Sequence, residues 1–334
     1  MNSMIVNCFR GTITLLLLMA LNGCYYLQAA RGQMEIARKR EPIADLVAAN
    51  GTPPELGARL QLVAEARQFS IDELGLPDND SYRSYADLDR DYVLWNVIAA
   101  PEFSLQAKTW CYPVVGCVSY RGYFSKSAAQ NMADELRHEG FDVAFGGVAA
   151  YSTLGKFKDP VLSTMMHWGD AELVAVMFHE LAHQVLYVKD QTGFNESFAT
   201  AVEEFGMQRW LESRQQPEQL EAWQERRKLR VQLAELIADA RSELDAVYNS
   251  SDDDAARRQQ KQARLQQLAA SAKALFAARQ MPAPDWLDTE LNNARLVAST
   301  LYEGRLPEFR ALLLQCGNDL PCFYNAARKL ADSI

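Results

Sequence analysis

Two histidines and a glutamate near the middle of the chain have the spacing of a metal-assisted hydrolase. They lie in the run His179-Glu180-Leu181-Ala182-His183. On a helix, residues four apart share one face, so both imidazoles can reach a single cation. Glu180, about 100° round the helix, is placed to take a proton from a water molecule at that cation. Because imidazole and carboxylate ligands suit zinc, the pattern predicts a zinc-dependent peptidase.

The residues around the motif favour a buried helix from Asp170 to Val188. Apolar side chains flank the motif on both sides: Leu173, Val174, Val176, Met177, Phe178, Val185 and Leu186. Unpaired polar groups inside a protein cost several kcal/mol, roughly 2 to 7 for each. A buried helix therefore has reason to carry two histidines and a glutamate when they bind something. The alternative is that they are hydrogen-bonded core residues.

A second predicted helix, from Asn195 to Leu211, follows shortly after the motif. Its Asn-Glu pair resembles that of the gluzincins, and this resemblance implies that Glu196 is the third zinc ligand. Many gluzincins have an aspartate four residues later that orients a ligand histidine, where this chain has Thr200. Glu203 is a candidate for that supporting role or for binding the substrate amine. A solvent-facing position is the alternative for Glu203.

Most of the chain resembles a family of bacterial lipoproteins described as aminopeptidases. The stretches that carry this resemblance are Gly122-Tyr123-Phe124, Tyr151 to Gly155 with Asp159-Pro160, the zinc motif with Asn195-Glu196, and Asn292 to Leu296. The resemblance implies hydrolysis of peptides from their amino ends. Such an enzyme needs an acidic group for the free amine, for which Glu203 and Glu204 are candidates. An endopeptidase is the alternative.

A predicted edge strand, Phe141 to Ser152, precedes the motif helix. Proteins that resemble zincins commonly bind an extended peptide along such an edge. Tyr151, near its end, is the candidate to stabilise the oxyanion, with Tyr302 as competitor. For each tyrosine, the alternative is core packing with a hydrogen-bonded hydroxyl.

Four other polar residues have less definite predicted roles. Asn292 and Asn293 either bind substrate or cap a helix. His138 and His167 are predicted to be structural or surface residues.

The N-terminus is predicted to be a signal peptide, residues 1–23. The apolar run from Gly11 to Gly23 is too short to be a membrane anchor. It ends in Leu21-Asn22-Gly23-Cys24, which resembles the lipobox of bacterial lipoproteins and implies cleavage before Cys24 and lipid on that residue. Because Tyr25 replaces an aspartate that would favour the inner membrane, we expect a lipid anchor in the outer membrane, facing the periplasm. A buried apolar helix ending by chance in a cysteine is the alternative.

Four further cysteines form two pairs that are local in sequence, Cys111 with Cys117 and Cys316 with Cys322. An even number of cysteines in an exported protein predicts disulfides. Free buried thiols are one alternative. A zinc site made of all four thiolates is another, although it would normally show closer spacing.

The predicted fold class is α+β and mostly helical, with a zincin-like core, a small antiparallel or mixed sheet and one domain over residues 24–334. Strands are predicted at Tyr92 to Pro101 and at Val114 to Tyr120, and a helix at Ser125 to Glu139. The segment from Glu218 to Gln280 lacks proline and glycine, which predicts a long helical hairpin over about residues 217–280.

The hairpin and the net charge bear on partners. A net charge of −9 argues against nucleic acid, so the expected partners are a peptide substrate and a membrane, through the lipid anchor. The hairpin is a candidate surface for a protein partner. The rival hypothesis is therefore a non-enzymatic outer-membrane scaffold with a structural zinc, which would have no need for Glu180.

Overall fold

The computed structural model describes residues 25–112, 116–289, 291–299 and 305–334. Within them the protein is α+β and mostly helical, which confirms the predicted fold class. The predicted signal peptide, Cys24 and Tyr302 lie outside the described residues. No helix in the described part is both long enough and apolar enough to cross a bilayer.

Helices alternate with short strands in the first half of the chain and follow one another in the second half. The helices are α1 (25–38), α2 (Ile43–Ala48), α3 (Pro54–Asp72), α4 (Lys126–His138), α5 (Asp170–Ala182), α6 (Thr192–Ser213), α7 (Pro217–Tyr248), α8 (Asp254–Ala277), α9 (Trp286–Thr289), α10 (Asn293–Ser299), α11 (Leu306–Gln315) and α12 (Leu320–Ala331). The strands are β1 (Arg40–Pro42), β2 (Ser84–Ala86), β3 (Leu94–Pro101), β4 (Trp110–Tyr112), β5 (Gly116–Val118), β6 (Arg121–Tyr123), β7 (Phe141–Val148) and β8 (Val161–Leu162).

The described strands form three small sheets. β1, β2 and β8 form a mixed sheet, β6, β3 and β7 an antiparallel sheet, and β4 and β5 a two-stranded ribbon. The strands predicted at Tyr92–Pro101 and Phe141–Ser152 are β3 and β7, and β7 lies at a sheet edge as predicted. The strand predicted over Val114–Tyr120 is the shorter β5.

The sheet that contains β7 is covered on both faces. Alternate residues of a strand point to opposite sides. Val97 and Val143 accordingly pack with α4 on one side, and Ala100 and Ala144 pack with α10 on the other. This packing holds β7 in place, while its outer edge pairs with no other described strand.

The main hydrophobic core surrounds the helix pair α5 and α6. Phe178 and Leu181 of α5 and Phe198 of α6 are fully buried in it. The two helices approach closely at Gly206, where a Cβ atom would lie 3.0 Å from a ring carbon of Phe178. Each buried side chain of this size contributes roughly 1.5–3 kcal/mol. Packing therefore sets the spacing of the two helices.

The motif helix is shorter than the sequence predicts. α5 ends at Ala182 instead of Val188, and α6 begins at Thr192 instead of Asn195. The Asn195 side chain accepts a hydrogen bond from the Val188 amide and donates one to the Val188 carbonyl, each at 2.7 Å. These bonds satisfy backbone groups outside the helices, so the chain turns back early.

The long helical hairpin is confirmed as α7 and α8. Its inner face packs against Leu296 of α10 and Phe103 after β3. Lys261 of α8 also forms an ion pair with Asp142 of β7 at 2.6 Å. The hairpin therefore lies against the body of the protein, next to the sheet.

Both predicted disulfides are present. Cys111–Cys117 joins β4 to β5, and Cys316–Cys322 joins the end of α11 to α12. These pairings exclude both the free thiols and the four-thiolate zinc site.

Candidate active site

α5 presents two histidines on one face. The ring centres of His179 and His183 lie 4.8 Å apart. His183 follows the last residue of α5 but keeps a helical backbone, and its amide donates to the His179 carbonyl. Only 14% of the His179 side chain and 6% of the His183 side chain are exposed, so bulk water screens neither ring strongly.

α6 brings a carboxylate to these rings. Glu196 Oε2 lies 3.1 Å from His179 Nε2, and Glu196 Oε1 lies 3.7 Å from His183 Nε2. The bonds between Asn195 and Val188 tie the loop after α5 to the first turn of α6, next to Glu196. The two residues of the Asn-Glu pair therefore have different roles. Asn195 holds the turn at Val188, and Glu196 contacts the histidines.

These three side chains have a geometry that suits a divalent metal ion. Their donor atoms lie within 4.8 Å of one another, and the two histidine Nε2 atoms are 3.2 Å apart. Metal–ligand bonds of about 2.1 Å in a tetrahedron place neighbouring donors roughly 3.4 Å apart. The observed separations are close to that value. The residues therefore fit a metal ion.

A second carboxylate of α6 contacts His179 from the other side. Glu203 Oε2 lies 3.0 Å from His179 Nδ1, and Glu203 is 8% exposed. Such a contact fixes the tautomer and orientation of a metal-binding histidine. Glu203 therefore takes the place expected for an aspartate at position 200. His183 Nδ1 is buried and has no hydrogen-bond partner among the described residues.

The charges in the cluster are coupled through these contacts. Burial opposes a positive charge on His179, but hydrogen bonds with Glu196 and Glu203 outweigh it and raise the pKa of His179 to about 10. Burial likewise opposes a charged Glu196, but His179 and His183 lower its pKa to about 2. These contacts favour a positive charge on His179 and a negative charge on Glu196 in the metal-free protein. A metal ion must displace the His179 proton to bind.

Glu180 lies next to the cluster and lines the same cleft. Burial raises the pKa of Glu180 above its usual value, although His179 and His183 oppose the shift. A carboxylate with a raised pKa is a stronger base toward water. The position and environment of Glu180 therefore suit proton transfer.

A cleft of about 520 Å³ lies between the cluster and the β3–β7 part of the sheet. Residues 144–148, in β7, form one wall, and Tyr120 and Tyr187 contribute to its lining. The Tyr187 ring lies 6.3 Å from that of His183. The sequence offered a signal for Tyr187, because it follows His183 by four residues, a spacing that places two side chains on one face of a helix. Tyr120 carries no such signal, because it lies in the turn before β6.

Tyr151 also lines the cleft, but its hydroxyl donates to Gln33 Oε1 of α1. Its ring packs edge-on against Phe124, with centres 6.1 Å apart. Burial, with a further contribution from Asp159, raises the pKa of the Tyr151 hydroxyl. The hydroxyl is therefore hydrogen-bonded as in the core-packing alternative. The oxyanion role of Tyr151 stays a prediction.

A buried carboxylate holds the loop that follows Tyr151. Asp159 accepts hydrogen bonds from the Thr153 amide at 2.9 Å, from the Thr153 hydroxyl at 2.8 Å and from the Ser152 hydroxyl at 3.2 Å. A Cβ atom at Gly155 in this loop would lie 3.0 Å from the Gln184 side chain. Asp159 therefore holds this wall of the cleft against the end of the motif.

The remaining polar candidates have structural contacts. Asn292 accepts a hydrogen bond from the Arg295 amide and so caps α10. Asn293 is fully buried and donates to three carbonyl groups at the end of β3 and just after it. The two remaining histidines, His138 and His167, are exposed.

Comparison with known proteins identifies one family. Residues 24–334 match a family described as "Putative aminopeptidase". No match was found among curated proteins or among solved structures. The family match includes the α5–α6 cluster and the cleft, and it supports a peptidase-like activity. The chain therefore belongs to the family described as "Putative aminopeptidase".

Proposed function

We propose that the protein is a zinc-dependent peptidase, acting as an aminopeptidase on peptides in the periplasm. The observation that carries this proposal is the convergence of His179, His183 and Glu196 in a cleft that also contains Glu180. Structural zinc sites usually have four protein ligands, whereas catalytic sites have three and an open position. The cluster of three donors among the described residues supports the catalytic type.

Each residue of the site has a separate task. His179, His183 and Glu196 hold the zinc ion. When bound, the ion acts as a Lewis acid that polarises the peptide carbonyl and lowers the pKa of water to about 7. Glu180 takes a proton from the attacking water and passes it to the leaving amine. Glu203 keeps His179 oriented through its 3.0 Å contact with Nδ1.

The outer edge of β7 offers a place for the peptide backbone. Residues 144–148 line the cleft beside Glu180, and α4 and α10 support the strand from both faces. An extended peptide can add to such an edge through main-chain hydrogen bonds. The scissile bond would then lie next to the metal-binding cluster.

The aminopeptidase part of the proposal derives from the family description. Two carboxylates considered for the substrate amine already have partners, since Glu203 contacts His179 and Glu204 pairs with Arg227 at 2.6 Å. Among the described residues that line the cleft, Glu180 and Glu196 are the carboxylates. Identifying which bonds are cut will therefore distinguish an aminopeptidase from an endopeptidase.

The proposal also includes export and a lipid anchor. Residues 1–23 would act as the signal peptide, and lipid on Cys24 would hold the protein on the outer membrane, facing the periplasm. The lipobox-like run ending at Cys24 supports this location. The two disulfides support it as well, because such bonds persist in oxidising compartments.

Replacing Glu180 with glutamine tests the mechanism. Glu180→Gln is expected to lower peptide hydrolysis by about 10²–10⁴-fold, because the amide cannot accept the proton. Zinc should stay bound, because its three ligands are unchanged. Hydrolysis of a peptide mixture is followed by mass spectrometry, and zinc is measured by elemental analysis. Unchanged turnover would overturn the mechanism.

A matched control is Asp170→Asn, an acid-to-amide change in the exposed first turn of the same helix. It should retain wild-type turnover and zinc content. The product masses also show whether single residues or internal bonds are cut. Zinc-loaded wild-type protein that cleaves no peptide would favour the rival scaffold, in which the hairpin binds a partner.

A further inference from the structure

A second hollow, of about 420 Å³, extends from the metal-binding cluster along the same face of α5. Residues one turn apart on α5 line it, namely Glu172, Val176 and Glu180, together with His179. His183 continues this face into the β7 cleft. His179 and Glu180 line both spaces. The two hollows therefore meet at the residues proposed to carry out the reaction.

Arginines of the hairpin helix α7 form the facing wall of this hollow. Arg227 is held by Glu204 in a largely buried pair at 2.6 Å. Arg230 contacts Glu172 at 3.1 Å, with about half of its side chain exposed (54%). Arg226 is half-buried, and its side chain forms no hydrogen bond or ion pair with any residue the structure describes.

An arginine without a protein partner in a concave site is suited to bind a planar anion. The guanidinium group forms two parallel hydrogen bonds with a carboxylate. Trp168 and Trp223 also line the hollow, which reduces the access of water to such a pair. For a peptidase, the matching anion is a carboxylate of the peptide.

We propose that Arg226 binds a carboxylate of the substrate, supplied by the C-terminus or by an acidic side chain. This inference rests on the proposed peptidase function and names its substrate class. From Glu180 to Glu172 the hollow spans about two turns of α5, or roughly 12 Å. An extended peptide advances about 3.3 Å per residue, so the hollow has room for about three residues beyond the reacting bond. Preferred substrates are therefore short peptides, or peptides with an acidic residue at that distance.

Calorimetry tests this site without turnover. Zinc-loaded full-length protein carrying Glu180→Gln is titrated with penta-alanine, either as the free acid or as the C-terminal amide. The free acid is expected to bind about tenfold more tightly, as charge-assisted bonds to arginine require. Arg226→Gln in the same background should reduce this ratio to near one. Equal binding of acid and amide by the protein with Arg226 intact would overturn the proposal.

Lys228→Gln is the matched control, because it removes one positive charge from the exposed side of the same helix. It should keep the tenfold ratio, and the same loss of ratio in this variant would overturn the assignment to Arg226. Thermal unfolding of each variant verifies that it is folded.

A third peptide, with a C-terminal amide and a terminal glutamate, identifies the source of the carboxylate. Binding like the free acid indicates that a side chain is accepted, and binding like the amide indicates that the C-terminus is required.

The two proposals can fail separately. If the wild-type protein cleaves peptides but the Glu180→Gln protein binds acid and amide alike, the carboxylate site is refuted and the peptidase stands. If no peptide is cleaved but binding depends on Arg226, the carboxylate site stands and the peptidase is refuted.

Discussion

The α5–α6 helix pair and the α7–α8 hairpin differ in how they hold charged groups. In the helix pair, the ionisable side chains of the site are largely buried and contact one another, as His179 contacts Glu196 and Glu203. In the hairpin, many charged side chains face solvent and form local pairs, such as Lys228 with Glu225 at 2.6 Å. Both regions nevertheless have a packed apolar interface.

This difference indicates where a substitution changes chemistry and where it changes stability alone. When a buried charge loses its partner, little water is available to take the partner's place, so the loss is costly. Exposed pairs are screened by water and salt and contribute little. We therefore expect the helix pair to control metal binding and most of the hairpin to contribute stability. Arg226 is the exception, because it faces the hollow beside Glu180.

Removing one buried side chain from each region tests this difference most strongly. Phe178→Ala removes a ring that stacks on Phe69 at 6.2 Å and lies against Gly206 of α6. It should lower the free energy of unfolding by about 3–5 kcal/mol and weaken zinc binding, because the spacing of α5 and α6 relaxes. The measurements are urea unfolding and zinc titration of the folded protein.

Leu244→Ala in the hairpin is the counterpart, because Leu244 is fully buried between hairpin and body. It should lower the free energy of unfolding by about 2–5 kcal/mol and leave zinc affinity at the wild-type value. Equal losses of zinc affinity in both variants would show that the two regions do not differ in this way.

Within the helix pair, Glu203→Gln tests whether a buried negative charge supports zinc binding. The amide keeps the size of the side chain but removes the negative charge that Glu203 places beside His179 Nδ1. Zinc affinity should fall about 10–100-fold, as measured by competition with a chelator. Glu212→Gln, near the exposed end of α6 and bonded to Gln208, should retain wild-type affinity. Unchanged affinity in Glu203→Gln would mean that this carboxylate does not support the site.

The smallest expected effect is on the pH dependence of the metal-free protein. The pKa of His179, about 10, exceeds its ordinary 6.5, so its stabilisation is complete below pH 6.5 and is lost as pH rises through 10. The pKa of Glu196, about 2, lies below its ordinary 4.5, so its stabilisation is present above pH 4.5 and is lost as pH falls through 2. The contribution of these two groups to the Tm should therefore be greatest between pH 4.5 and 6.5.

His179→Gln provides the control for this profile. Without the imidazole, the loss of Tm toward pH 10 should become shallower than in the metal-free wild-type protein. An alkaline slope that is identical in both proteins would show that His179 does not carry it.

Parts of the fold with a long repeating pattern could be predicted from sequence. The strands β3 and β7 and the hairpin helices have enough residues to show a period of two or of about 3.6. The strands β1, β2 and β8 have three residues or fewer, too few for any periodicity. They form through pairing with distant segments, which a local pattern does not contain.

The residues of the candidate site also fall into two groups, those that local spacing predicts and those that it does not. His179, Glu180 and His183 follow from helical geometry, because residues four apart on a helix always share a face. Glu196 was reached through a family resemblance, since its place depends on how Asn195 binds the turn at Val188. The residues Tyr120 and Arg226 carried no local signal.

The sequence by itself determined the chemistry available to this protein: a motif helix with the spacing of metal ligands, an edge strand before it and two local disulfides. These features depend on contacts between near neighbours, which spacing describes well. The tertiary structure alone decided which carboxylate supports His179, that Arg226 faces the site and that the Tyr151 hydroxyl binds Gln33. Those contacts join elements far apart in the chain, 118 residues in the case of Tyr151. Such contacts are set by the packing of whole helices and sheets.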